Sequence, residues 1–177
     1  MQFDPTTLRD AWLIRIEPIR DQRGFFARTF CVEEFASRAL ETKYPQHSIS
    51  STARKGSLRG MHYQREPHSE AKVVRCVSGA VWDVIIDIRP DSPTYRHWEK
   101  FELSSGNGHM LYIPKGFAHH GFQTLCDDVE VHYLISSPYE PKSAWGIRHD
   151  DPTFAISWPL PVTEMSEKDL HWPDFTA

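Results

Sequence analysis

The chain has 177 residues and a net charge of −4, with 20 lysines and arginines against 24 aspartates and glutamates. That length fits one domain, residues 1–177, with a sizeable core, and the charge leaves no basic footprint for nucleic acid. Any anionic ligand must be caught by local arginines and lysines rather than by the whole surface.

Cys31, Cys76 and Cys126 are an odd number without paired spacing, and the first residues carry neither a basic region nor an apolar run. Both features point to a reducing, cytoplasmic setting. No apolar run approaches the roughly 20 residues needed to span a bilayer, so no membrane association is expected.

In chain order, residues 11–17 and 25–30 read as strands. Residues 32–40 read as the one helix, with Phe35 and Leu40 on its apolar side and Glu33, Glu34 and Arg38 outside. Residues 73–77 are β-branched and join residues 80–89 through Ser78-Gly79, which reads as a hairpin. In that second run Trp82, Val84, Ile86 and Ile88 share one face, while Val81, Asp83, Ile85 and Asp87 share the other. Residues 98–103, 110–113, 121–125 and 129–135 complete the set, punctuated by Pro, Gly, Asn and Asp. Many short strands with few helices indicate an all-β sandwich or closed barrel, and a jelly roll is the economical choice. The tail from Asp151 is expected to pack over the barrel as irregular segments and a short helix.

The chemistry concentrates in Lys55-Gly56-Ser57-Leu58-Arg59-Gly60-Met61-His62-Tyr63-Gln64. Arg59 offers a permanently charged fork suited to phosphate, and three residues on, the His62 imidazole can take a proton near pH 7. A base beside an anion clamp suggests an enzyme. Lys72, at the head of the next strand, is positioned to project an ammonium into the same cavity. Tyr133 shares a strand face with Val131 and Ile135 and, taken alone, reads as a core aromatic.

Ordered runs along nearly the whole chain match a known family. They include Asp21-Gln22-Arg23-Gly24-Phe25-Phe26, Gly56 through Gln64, Ala71-Lys72-Val73-Val74-Arg75, Asp83 through Arg89, Ile113-Pro114-Lys115-Gly116-Phe117-Ala118-His119 and Ser166-Glu167-Lys168-Asp169. In these runs the chain resembles the dTDP-4-dehydrorhamnose 3,5-epimerases, which are cupin-like nucleotide-sugar epimerases.

The resemblance implies roles. His62 would be the base, Asp169 the carboxylate that orients it, Tyr133 the acid on the opposite ring face, and Lys72 the cation that steadies the enolate. Arg59 and Arg23 would grip the diphosphate, one arginine commonly crossing from the second subunit of a homodimer. Gln46, Ser48, His119 and Lys168 would contact nucleotide or sugar. The ligand implied is a dTDP-linked 4-keto-6-deoxy sugar, with no cofactor and no metal. A C4 ketone acidifies the hydrogens on C3 and C5, so proton removal and return invert a carbon without redox chemistry.

The match departs from the family pattern at Arg28, Ser48, Ser143 and Ala144, which bears on the nucleotide base. The doubled histidine, His119-His120, implies a bulge that re-aims its neighbours. Two other readings of a histidine-rich jelly roll are a metal-dependent cupin enzyme and a non-catalytic sugar-binding module. Against the first, His62 pairs with Gln64 instead of a second histidine; against the second, His62, Lys72, Tyr133 and Asp169 occur together. Whether C3, C5 or both are inverted is open at this level.

Overall fold

The computed structural model describes residues 1–176, with His120 described by its backbone alone. The elements along the chain are β1 (Gln2–Pro5), β2 (Trp12–Arg15), β3 (Ile19–Asp21), β4 (Gly24–Phe26), α1 (Val32–Ala36), β5 (Gln46–Thr52), β6 (Leu58–Arg59) and β7 (His62–Gln64). They continue as β8 (Lys72–Ser78), β9 (Ala80–Asp87), β10 (Trp98–Ser104), β11 (His109–Ile113), β12 (Phe117–Thr124), β13 (Val129–Ile135), β14 (Ala144–Gly146) and α2 (Glu167–Leu170).

Two antiparallel sheets form the jelly roll. One runs β1-β2-β11-β8-β13-β5; the other runs β10-β9-β12-β7-β14, with β6 also on β12. Hairpin β3-β4 stands apart as its own ladder.

Period-two patterning explains the layers. Val74 and Cys76 of β8, Leu111 of β11 and Val131 and Tyr133 of β13 point inward, where they meet Val81 and Ile85 of β9, Leu103 of β10 and Phe122 of β12. The alternate residues of the first sheet, Val73, Met110 and Tyr112, pack outward beneath Phe35 and Leu40. On the second sheet the outward face carries Val84 and Ile86, with Trp82 and Ile88 beside them, and Phe154, Ile156, Trp158 and Phe175 of the tail cover it. Both faces of β8 and β9 are therefore buried, which is why each strand carries apolar residues on both faces.

Several expectations need correcting. Residues 73–77 and 80–89 are not a hairpin: β8 pairs with β11 and β13, and β9 pairs with β10 and β12. Each strand already has a neighbour on both edges, so Ser78-Gly79 is a corner between sheets. Gly79 has φ +74°, and a Cβ there would lie 2.8 Å from Cys126 Sγ, so the corner needs both the left-handed backbone and the missing side chain.

The helix also stops at Ala36. Ala39 turns to φ +57° and the Leu40 amide bonds back to the Phe35 carbonyl, so Leu40 still reaches the core. The strand expected over 25–30 ends at Phe26. Strand β5 escaped the sequence reading because Gln46-His47-Ser48-Ile49-Ser50-Ser51-Thr52 is polar on both faces.

Asp83 is an inward residue that breaks the apolar rule. It is 1% exposed, and neither carboxylate oxygen has a hydrogen-bond partner among the described residues. Burial alone pushes its pKa up to about 8, so the group is a neutral acid at pH 7. The unfolded chain releases this proton near pH 4. The native state therefore loses stability relative to the unfolded state as pH rises from about 4 to about 8. Replacing Asp83 by Asn should remove that loss. In urea unfolding, the stability of Asp83→Asn relative to wild type is expected to rise between pH 5 and pH 8 by on the order of 1–4 kcal/mol; a difference that is constant with pH would refute titration of Asp83.

Candidate active site

A cavity of about 830 Å³ opens between the sheets and is roofed by the C-terminal tail. Its wall includes Arg59, His62, Gln64, Glu70, Lys72, Tyr139, Trp145, Glu164, Lys168 and Asp169.

His62 sits on β7 with His119 of β12 on one side and Gly146 of β14 on the other. Gly146 matters sterically: a Cβ there would lie 2.2 Å from Trp172 Nε1. The bare backbone thus lets the Trp172 indole press onto the sheet edge, and Trp172 donates to Asp169 Oδ1 at 3.2 Å. Ser166 caps the short helix through the Asp169 amide, so the carboxyl points down onto the barrel.

Asp169 Oδ1 meets His62 Nε2 at 2.6 Å, and Oδ2 accepts from the Gly60 amide at 3.3 Å. Burial would raise the Asp169 pKa, but the bonds from His62, Gly60 and Ser166 outweigh it and hold the carboxyl at about 2. An ionised carboxylate only accepts hydrogen bonds. The proton of a neutral His62 ring therefore lies on Nε2, and Nδ1 is the nitrogen that can take a second proton.

Lys72 enters from the other sheet. It is buried, and its Nζ lies 2.6 Å from Glu70 Oε1. Burial lowers its pKa while Glu70 opposes that shift. His119 is fully buried with Nε2 3.7 Å from Glu70; burial, Lys72 and His62 hold its pKa well below the usual imidazole value, so it is neutral at pH 7. The bulge expected at the doubled histidine is present, as a register shift between Ala118 and Gly121. His119 lies on the site side, and the orientation of the His120 side chain falls outside the described residues.

Tyr133 does not line this cavity. It points inward from β13 opposite Val74, two pairs from the Ile135–Lys72 pair, and is 3% exposed. Its hydroxyl shares a 2.9 Å hydrogen bond with Ser50. Burial raises its pKa, with the Ser50 bond opposing, so the phenol keeps its proton at neutral pH. Two residues along β5, Thr52 accepts from Arg59 Nε at 2.9 Å, and Arg59 Nη2 donates to the Ser51 carbonyl.

The remaining expected residues are dispersed. Lys168 is on the wall, 5.0 Å above the Trp172 ring. Gln46 is close by, with Oε1 accepting from the Tyr139 amide. Ser48 belongs instead to a groove with His47, Ile49 and Arg75. Arg23 is on the β3-β4 turn, its side chain 90% exposed and paired with Asp21 at 2.5 Å. Sequence reasoning missed Glu70, Tyr139 and Trp145. Glu70 was detectable, since it lies two residues before Lys72 and hence on the same side of an extended chain.

A histidine–carboxylate pair facing a buried lysine inside a jelly roll defines a cupin-like enzyme equipped for proton transfer on a polar substrate. Comparison with known proteins narrows this class. A model of the dTDP-4-dehydrorhamnose 3,5-epimerase family matches residues 5–177. The dTDP-4-dehydrorhamnose 3,5-epimerase of Sinorhizobium fredii is 39% identical over 174 residues, covering 98% of this chain and 89% of that protein. A crystal structure of the Bacillus anthracis enzyme with TDP and PPi bound superposes with a TM-score of 0.94 at 33% identity, covering 98% of this chain and 99% of that one. A 3'-monoepimerase from Streptomyces bikiniensis in complex with dTDP-quinovose gives 0.87 at 30% identity, covering 96% and 86%. The chain belongs to the dTDP-4-dehydrorhamnose 3,5-epimerase family, and it is a sugar epimerase of the isomerase class.

If Asp169 fixes the tautomer, ¹⁵N NMR of the His62 ring should show a single Nε2–H form in the neutral wild type. A mixture of both tautomers is expected in Asp169→Ala. Equal tautomer populations in the two proteins would remove Asp169 from this role.

Proposed function

We propose that the chain inverts C3, C5 or both in a dTDP-linked 4-keto-6-deoxy sugar, acting as a single jelly-roll domain in the cytoplasm. The observation that carries this reading is the His62–Asp169 pair at 2.6 Å, on one wall of a cavity whose opposite sheet supplies Lys72. His62 removes the hydrogen α to the ketone, and Asp169 stabilises the imidazolium that forms. Lys72 faces the C4 oxygen as it becomes anionic, where a fixed cation lowers the barrier by several kcal/mol. Tyr133 returns the proton from the other sheet; its neutral phenol and its inward position on β13, two pairs along from Ile135–Lys72, support that role.

The nucleotide end has support too. Arg59 keeps Nη1 available after its contacts to β5, and a guanidinium suits a diphosphate. Tyr139 is a half-exposed aromatic at the rim, able to stack on a base.

The active unit in this reading is a homodimer. Hairpin β3-β4 exposes Ile19 at 73% and Phe26 at 74%, with Phe25 beside them, an apolar surface that a second copy would cover. Arg23 at its tip would then enter the neighbour's site. Wild type should have twice the 20.5 kDa chain mass in light scattering. Ile19→Asp with Phe26→Asp should shift it to monomer and lower kcat/KM; a fully active monomer would remove Arg23 from the site.

The decisive test of the chemistry is proton NMR of dTDP-4-keto-6-deoxyglucose with enzyme in D2O. Wild type should incorporate deuterium at each carbon it inverts, which reads regiochemistry directly. His62→Ala should lose exchange by about 10²–10⁴-fold, while Tyr133→Phe should slow inversion more than exchange. Wild-type exchange in both variants would overturn these roles.

A further inference from the structure

Glu70 is a carboxylate that the proposed chemistry leaves without a role, yet it is among the most tightly held groups in the cavity. It is 7% exposed, two residues before the start of β8. Oε1 lies 2.6 Å from Lys72 Nζ, and Oε2 accepts from Gln64 Nε2 at 3.0 Å. Gln64 is itself pinned: its amide nitrogen also reaches the His68 carbonyl, and its oxygen accepts from the Glu140 amide at 2.6 Å. The carboxylate therefore cannot swing away from the lysine.

We propose that Glu70 is a positioning residue for the epimerase reaction: it keeps the buried Lys72 ammonium charged and aims its free N–H bonds at the cavity. The proposal rests on the assignment of Lys72 as the cation for the enolate and deepens it. A buried ammonium without a counter-charge tends to lose its proton, and a neutral amine is a poor partner for a developing oxyanion. An ammonium has three donors; Glu70 occupies one, and two remain for substrate.

The other charged groups around Lys72 do not do this work. From β12, His119 is neutral; from β7, His62 becomes positive during turnover, which disfavours a second charge nearby. Asp169 of α2 is committed to His62 and the Gly60 amide. Arg59, Glu164 and Lys168 lie elsewhere on the same wall. Burial lowers the pKa of Lys72, and Glu70 is the group that opposes it.

Glu70→Gln keeps the shape and an oxygen for Gln64 while removing the charge. It is expected to bind dTDP as wild type does, to lose kcat on the order of 10- to 100-fold at pH 7, and to move the alkaline limb of the kcat profile to lower pH. The ¹⁵Nζ titration of Lys72 should move to lower pH with it. Glu70→Asp, which retains the charge on a shorter arm, should recover part of both. An unmoved Lys72 titration in Glu70→Gln overturns the proposal, even if activity falls. Should that variant not fold, Glu70→Asp decides: a smaller shift in the same direction supports the proposal, and none overturns it. The titration needs no substrate, so absence of exchange in wild type would sink the functional reading while still deciding the role of Glu70.

Discussion

Desolvation inside the barrel governs the rest of this structure. The space between the sheets is lined with aliphatic and aromatic side chains, and an ionised group placed there must be paired or give up its charge. Each interior group shows one of these outcomes. Lys72 is paired with Glu70, Asp169 is held by His62, Gly60, Ser166 and Trp172, and Asp83 and His119 are neutral. The outcome follows from the partners and not from residue type, since Asp83 and Asp169 are the same side chain separated by about six pH units of acidity, about 8 against about 2.

The tail is what makes Asp169 different. Residues 154–175 cover the outer face of β9 with Phe154, Ile156, Trp158 and Phe175, and that burial carries the chain back across the cavity mouth. Trp172 then packs against Gly146, and the Ser166 cap sets the helix end over His62. A hydrophobic contact on one side of the sheet thus fixes a hydrogen bond on its edge. The site depends on the tail as much as on the barrel, although the tail is mostly irregular.

Much of this was legible in the sequence. The alternation through Ala80–Asp87 assigned inner and outer faces correctly, because a strand buried on both sides still separates two distinct layers. His62, Lys72, Arg59, Lys168 and Asp169 do meet at one cavity. What the sequence concealed is mostly pairing. A two-residue connection between apolar strands looks the same whether it closes a ladder or turns a corner, as at Ser78-Gly79. Strand β5 is polar because its alternate residues make hydrogen bonds where apolar contacts would otherwise be: Gln46 accepts from the Tyr139 amide, Ser50 meets the Tyr133 hydroxyl and Thr52 accepts from Arg59. The place of Tyr133 one layer behind the wall follows from the register between β13 and β8, which no local pattern records.

Two sheets facing one another also bear on stereochemistry. Inversion requires a proton to leave one face of a sugar ring and return to the other, and a single flexible group cannot do both without turning over the substrate. In the proposed reading His62 comes from the second sheet and Tyr133 from the first, so the fold itself supplies donors on opposite sides. The C4 oxygen that becomes anionic is common to the C3 enolate and the C5 enolate, and a displacement of about 1 Å changes which hydrogen meets the base. In that reading, choice of carbon belongs to the groups proposed to hold the nucleotide end, Arg59, Lys168, Tyr139 and the Arg23 hairpin, more than to the dyad. This is consistent with 3,5-epimerases and a 3'-monoepimerase sharing one backbone, because the proton-transfer machinery can stay fixed while the grip on the diphosphate moves the ring.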